Sequence, residues 1–350
     1  MSMKNLQHLM VLAILLGWSA SASAADIVYR KSTTTALQGE ITESSSTEIT
    51  VKKRVGKPET VPVNDIVDIR WDGEPAKLNL ARSAEKAGNV EKALSDYLEI
   101  TKDPKSKGNI KTDLTFLIAR ATAKLAMGDP LRLDDAIKLL DGYRKANKGS
   151  FRDFEAASLL GQAYLAKKDY PNAKTAFDQL AKAPWNDYKM AAQTANARIL
   201  LLGGNVDGAL SAFDAVIAAK ATKPAEITRQ QEAMLGKVKC LQLQKKHDEA
   251  VIVVEQIIEK VAAEDSAVQA EAYVLQGDSL QAQGKTKEAV LAYLHVDVLF
   301  TGEKALHPEA LYHLAKLWGT VGEADRAADA RDTLQSEYPN SAWAKKLAGG

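Results

Sequence analysis

The spacing of hydrophobic and polar positions changes character twice along this chain. An unbroken apolar stretch, Leu9 to Leu16, comes first. From Asp26 to Trp71 apolar and polar residues then alternate in β-branched runs: Ile27-Val28-Tyr29, Leu37 to Ile41, Ile49-Thr50-Val51, Val61-Pro62-Val63 and Ile66 to Ile69. A period of two places one face of a strand against a core, and the breaks at Ser44-Ser45-Ser46 and Gly56-Lys57-Pro58 carry turn chemistry. Residues 26–74 are therefore expected to form a small β-rich, barrel-like module. So short a segment buries too little surface to stand alone, and it should pack on the rest of the chain or self-associate.

From Pro75 onward the period moves to about 3.6, the signature of amphipathic helices. Aligning the segments on an alanine followed four positions later by a larger residue gives Ala93/Tyr97, Ala136/Leu140, Ala173/Phe177, Ala209/Phe213, Ala250/Val254, Ala289/Tyr293 and Ala327/Arg331. Successive alanines are 36 to 43 residues apart. A repeat of that length predicts a mainly α fold over residues 75–350, an α-solenoid of about seven helical hairpins. The alanine belongs where the two helices of a hairpin cross most closely, and the larger residue one turn later fills the gap between neighbouring hairpins. Arg331 in the large slot of the last unit fits a terminal repeat whose outer face meets water.

These residues resemble the tetratricopeptide pattern, W-x2-L-G-x2-Y, then A-x3-F, then P. The third unit carries it most fully, with Leu160-Gly161, Tyr164, Ala173, Phe177 and Pro184. The family places a glycine five residues before the alanine to close the first helix in a left-handed turn, and Gly88, Gly204, Gly284 and Gly322 fill that slot. Lys168 and Lys245 stand there in two units, and Gly128 is followed by extra residues around Pro130, so the second turn should be longer. The resemblance implies a right-handed superhelix that binds other polypeptides. The front segment is similar to SH3-like barrels of the Sm-like kind, in which a glycine, here Gly39 in Leu37-Gln38-Gly39-Glu40-Ile41, permits a sharp strand bend.

Charge and export signals narrow the class. Lys4 before the apolar stretch, with Ala22-Ser23-Ala24 as small residues at a cleavage site, marks residues 1–25 as a signal peptide. The protein is thus expected in the periplasm or secreted, without a stable membrane span after cleavage. Of 46 basic residues only Lys4 precedes Asp26, which leaves 45 against 45 acidic ones. Nothing in that balance asks for nucleic acid. The single Cys240 forms no internal disulfide and is expected to be a buried thiol.

Catalytic signatures are missing from the sequence: no G-x-S-x-G, Walker loop, G-x-G-x-x-G or H-E-x-x-H occurs. His247, His295, His307 and His313 read as separate surface or packing residues, so neither catalytic residue, nor cofactor, nor metal ligand set is expected. The remaining candidate is the concave face lined by the first helix of each hairpin. One register position there holds Arg82, Thr122, Gln162, Arg198, Lys239, Asp278 and Lys316. Arg198, Lys239 and Lys316 are expected to form a peptide-binding row favouring acidic segments, interrupted by Asp278. Together these features describe an exported, non-enzymatic protein–protein interaction scaffold. The alternative is a structural component of a cell-envelope assembly that self-associates through the N-terminal β module.

Overall fold

The computed structural model describes residues 25–262 and 265–349. The signal-peptide expectation falls on residues outside these. Five antiparallel strands come first: β1 (Asp26–Arg30), β2 (Leu37–Ser44), β3 (Glu48–Lys52), β4 (Glu59–Pro62) and β5 (Ile66–Arg70), in the sheet order β4-β3-β2-β1-β5. A single 3-10 turn, Val63–Asp65, joins the two outer strands. β2 is the longest strand because it serves both halves of the sheet, pairing with β1 through Leu37 to Gly39 and with β3 from Glu40 onward. Gly39 stands at the handover, where a Cβ would lie 2.4 Å from the Lys52 carbonyl oxygen. Only glycine lets the two backbones approach so closely.

Helices fill the rest of the chain. Seven antiparallel hairpins follow one another: α1 (Ala76–Lys86) with α2 (Val90–Ile100), α3 (Gly108–Gly128) with α4 (Leu133–Ala146), α5 (Asp153–Ala166) with α6 (Tyr170–Leu180), α7 (Asn186–Leu202) with α8 (Val206–Ala218), α9 (Pro224–Leu243) with α10 (His247–Lys260), α11 (Ser266–Ala282) with α12 (Thr286–Leu299), and α13 (His307–Thr320) with α14 (Ala324–Glu337). A short α15 (Ala342–Ala348) packs back on α13. No described helix is long and apolar enough to cross a membrane.

The alanine register explains the packing. Ala93, Ala136, Ala173, Ala209, Ala250 and Ala289 are fully buried at the helix crossings, and Tyr97, Leu140, Phe213, Val254 and Tyr293 are fully buried one turn later. Arg331 is exposed, as suits the last repeat. Small residues receive the aromatic rings: a Cβ on Gly161 would meet Phe177 at 2.6 Å, and one on Gly277 would meet Tyr293 at 2.6 Å. Between hairpins, Gly236 of α9 sits under Phe213 of α8. The extra residues after Gly128 form a 3-10 turn, Pro130–Arg132, so the second hairpin has the longer connection.

In six of the seven hairpins the turn between paired helices holds one residue in the left-handed region. Gly88, Gly204, Gly284 and Gly322 supply it with φ between 76° and 90°, while Lys168 and Lys245 are forced to φ of 62° and 61°. A side chain in that region costs about 1–2 kcal/mol, whereas glycine loosens the unfolded chain by only about 0.5–1 kcal/mol. Lys168→Gly and Lys245→Gly should each stabilise the fold by roughly 0.5–1 kcal/mol. Thermal melts of the single variants check this, and lowered midpoints would contradict it.

Two long-range contacts shape the whole molecule. The core of the sheet runs on without a break into α1 to α5, joined by Trp71, Leu78 and Phe151. At the other end the solenoid closes on its own start. Gly88, in the first hairpin turn, packs so tightly on Gly302 that a Cβ on either would lie 2.9 Å from the other's Cα. Beside it Lys304 reaches Glu91 at 4.0 Å, and a Cβ on Gly128 would meet the Lys304 carbonyl at 2.7 Å.

Candidate functional site

The inner face of the solenoid is lined by α1, α3, α5, α7, α9, α11 and α13, the first helices of the hairpins. Its curvature shows in which side chains meet. Arg120 of α3 holds Glu85 of α1 at 2.8 Å and Glu155 of α5 at 3.3 Å. Further along, Glu271 of α11 accepts Lys239 of α9 at 2.7 Å and Arg198 of α7 at 3.3 Å. Residues two hairpins apart touch across the helix between them, which is possible only on a concave surface. Phe154, Trp185 and Tyr188 form an edge-to-face cluster, with ring centroids 5.3 to 6.0 Å apart.

Arg198 and Lys239, two of the three cations read from the sequence as peptide contacts, thus share one carboxylate. Burial would raise the Glu271 carboxyl, but Lys239 and then Arg198 outweigh it and hold it at about 2. Part of the pair's positive charge is offset within the protein itself. Lys316, the third, is exposed and lies over the Tyr312 ring at 5.3 Å. Lys346 of α15 joins it there, 4.6 Å from both Tyr312 and Trp343. Neither lysine has a carboxylate within ion-pair distance among the described residues.

Arg82 does not line the open groove, although it occupies the same register position. It is buried between Glu74 at 2.7 Å and Asp113 at 3.4 Å, because the β module sits over the first hairpin and covers that face. Thr122 is also buried, its hydroxyl donating to the Ile118 carbonyl. The row of seven positions therefore reaches solvent only in part.

Asp278 is part of a second cluster. Its Oδ1 accepts the Tyr293 hydroxyl at 2.7 Å and lies 3.7 Å from Nε2 of His313. Glu309, four residues before His313 on α13, brings its carboxylate into the same space, with one ligand atom of each residue within 4.8 Å of the others. Burial and then the Asp278 charge push the Glu309 carboxyl up to about 7, with Lys239 pulling the other way. Burial, helped by Lys346 and Lys316, lowers the His313 imidazole to about 4, so it is neutral near pH 7. His313, expected to be separate, is thus a member of a polar group. The overlooked sequence signal was the spacing of Glu309 to His313, which puts both on one helical face. His307 is a packing residue, its Nε2 2.9 Å from Asp297 and its Nδ1 2.8 Å from the Tyr338 hydroxyl. Cys240 is buried, and burial pushes its thiol up to about 11.

The raised Glu309 fixes the sign of a pH effect. Its folded value lies above the ordinary value of 4.5, so the fold favours the neutral acid and loses stability as pH rises from about 4.5 to 7. Glu309→Gln removes that loss. In chelator-treated buffer its melting temperature should gain on wild type between pH 5 and pH 8, and a constant difference would contradict the assignment.

Sequence comparison agrees with the geometry. A family model for the tetratricopeptide repeat matches residues 118–188 and 159–224. The chain carries tetratricopeptide repeats. Those segments cover α4 to α8 with much of α3, and the same alanine and turn register continues on both sides of them. No curated protein matches the chain in sequence. Among solved structures, it is similar to PilW, a type IV pilus biogenesis factor, at 15% identity over 69% of this chain and 100% of that one, with a TM-score of 0.42. A tetratricopeptide repeat protein from Parabacteroides merdae is 14% identical over 77% of this chain and 95% of its own, with a TM-score of 0.45. A Rap protein bound to competence and sporulation factor is 14% identical over 77% and 78%, with a TM-score of 0.49. These scores are too low for any of those proteins' roles to be read onto this chain.

Proposed function

We propose that this protein is an exported, non-enzymatic scaffold whose tetratricopeptide solenoid holds an extended segment of a partner polypeptide along its concave face. The observation that carries the reading is the continuous lining of α7, α9, α11 and α13, which offers charged and aromatic side chains from successive hairpins to one surface. Repeat solenoids present such extended surfaces by construction, and function is decided by what the surface displays. Lys316 and Lys346, without carboxylate partners among the described residues, favour acidic segments at the α13–α15 end. Arg198 and Lys239 contribute only where a ligand carboxylate competes with Glu271. Export rests on the leader-like residues 1–25, and N-terminal sequencing of the mature protein should begin at Ala25 or Asp26.

The groove is tested by placing a photo-crosslinking residue at position 162, on the exposed inner face of α5, in the native host. Crosslinks to a polypeptide partner are expected. Lys316→Glu with Lys346→Glu should weaken them, more at low salt than at high salt, since exposed charges are screened. Arg198 and Lys239 are left unaltered in this test because reversing them would strand the Glu271 carboxylate. Undiminished crosslinking at low salt would exclude the cationic end as a contact. Crosslinks only between copies of this chain, through residues 26–74, would instead support the envelope-assembly alternative.

A further inference from the structure

We propose that Asp278, Glu309 and His313 form a binding site for one divalent transition-metal ion of the zinc class, tying the sixth hairpin to the seventh on the inner face of the solenoid. This goes beyond the scaffold reading and does not depend on it.

The donor set is an imidazole and two carboxylates converging from two helices, not a loose acidic patch. Glu309 and His313 are four residues apart on α13, so both project from one face, and Asp278 meets them from α11. The imidazole is held on both sides. Its ring stacks on Tyr293 with centroids 4.5 Å apart and 9° between planes, and meets Tyr312 edge-on at 5.2 Å. Nδ1 lies 2.9 Å from Oε1 of Gln281. With that oxygen as its acceptor, Nδ1 carries the proton, and the unprotonated Nε2 stands 3.7 Å from Asp278 Oδ1. Two acceptors facing each other with no hydrogen between them are mutually repulsive, and a cation between them removes the repulsion.

Asp278 is positioned in the same manner, by the Tyr293 hydroxyl at 2.7 Å. Outer partners that fix the tautomer and the carboxylate direction are the usual support of metal ligands. Ligand atoms about 2.1 Å from an ion stand roughly 3.3–3.5 Å apart in tetrahedral geometry, so the group must close by about an ångström. Glu309, whose carboxylate has no hydrogen-bond partner among the described residues, has the side-chain freedom to do so. One imidazole with carboxylates suits zinc and its neighbours in the transition series better than magnesium, which prefers oxygen ligands throughout. Lys239 and Lys346 lie near enough to oppose the ion, so moderate affinity is expected.

The test is calorimetric titration of the whole folded chain with zinc chloride, with magnesium chloride as comparison. One equivalent of zinc should bind, and magnesium should not compete at equal concentration. His313→Gln, Asp278→Asn and Glu309→Gln should each weaken zinc binding about tenfold or more, while His247→Gln leaves it unchanged. Circular dichroism melts establish that each variant is folded. Zinc should also raise the melting temperature of wild type but not of His313→Gln. Absence of saturable one-to-one binding by wild type overturns the proposal, whatever the variants do. So does binding that persists at wild-type strength in folded His313→Gln or Glu309→Gln.

Discussion

Asp113→Ala is expected to destabilise the protein by about 3–5 kcal/mol, the usual cost of leaving a buried charge without its partner. Asp113 is 1% exposed and lies where the β module meets the solenoid. It accepts Arg152 Nε at 3.0 Å, Arg82 Nη2 at 3.4 Å and the Trp71 indole N–H at 3.1 Å. Burial opposes its charge, yet Arg152 and Arg82 together hold its carboxyl below the ordinary range. Each arginine has one further hydrogen-bonded carboxylate, Glu74 at 2.7 Å from Arg82 and Glu155 at 3.0 Å from Arg152, and Asp68 Oδ1 stands farther off, 3.5 Å from Arg82 Nε and 3.9 Å from Arg152 Nη2. Neither Glu74 nor Glu155 serves both, and Asp68, which faces both, hydrogen-bonds neither and has its carboxyl raised by burial. Arg82 Nε and Arg152 Nη2, which face Asp68, lack hydrogen-bond partners among the described residues, so Asp68 should take over only part of the role of Asp113.

The first consequence should be local. Without Asp113 the end of β5 and Trp71 lose their tie to α3, and the β module should loosen before the distal hairpins do. Hydrogen exchange in β1 and β5 should accelerate more than in α11 to α14, and the melting midpoint should fall by roughly 10 °C. Asp113→Asn separates charge from shape, since the amide keeps one acceptor for Trp71 while the two guanidiniums lose the carboxylate they share. It should lose most of the same stability. A midpoint within a degree or so of wild type for Asp113→Asn would mean that the charge contributes little.

Gly236→Val should also cost several kcal/mol, about 2–4, and for an opposite physical reason, excess volume in a closed space. A Cβ at Gly236 would sit 2.3 Å from the ring of Phe213, itself fully buried between two hairpins. The ring has no free volume to move into, so α8 and α9 must part. Gly142 provides the comparison, since it is an exposed helical glycine at which an added methyl group would have nothing within 4 Å. Gly142→Ala should stabilise by roughly 0.5–1 kcal/mol through helix propensity alone. Melting curves of the two variants should therefore move in opposite directions. A fall for Gly142→Ala or no change for Gly236→Val would mean the glycines play other parts than the packing assigns.

The hairpin register was legible in the sequence because it is a local matter. A small residue at the helix crossing and a large one four positions later recur within each unit, and one left-handed position between helices in all but the second, whatever the neighbours do. Lys168 and Lys245 show how firmly that holds, since they adopt the glycine conformation without being glycine. Strand positions in the front module were legible for the same reason, an alternation of period two. The inner face was legible as a set of positions, but not in its charge state. Arg82 has the same register as Arg198 and Lys239, yet it is buried because the β module covers the first hairpin. Arg198 and Lys239 share Glu271, and Asp278 faces Glu309 and His313, because curvature brings residues of different hairpins together. The contact of Gly88 with Gly302 has the same origin. Curvature is the sum of small rotations between hairpins, each set by how particular side chains fit, and no local period records that sum. The sequence by itself determined what each repeat is; only the tertiary structure decided which repeats meet and which charges remain free on the groove.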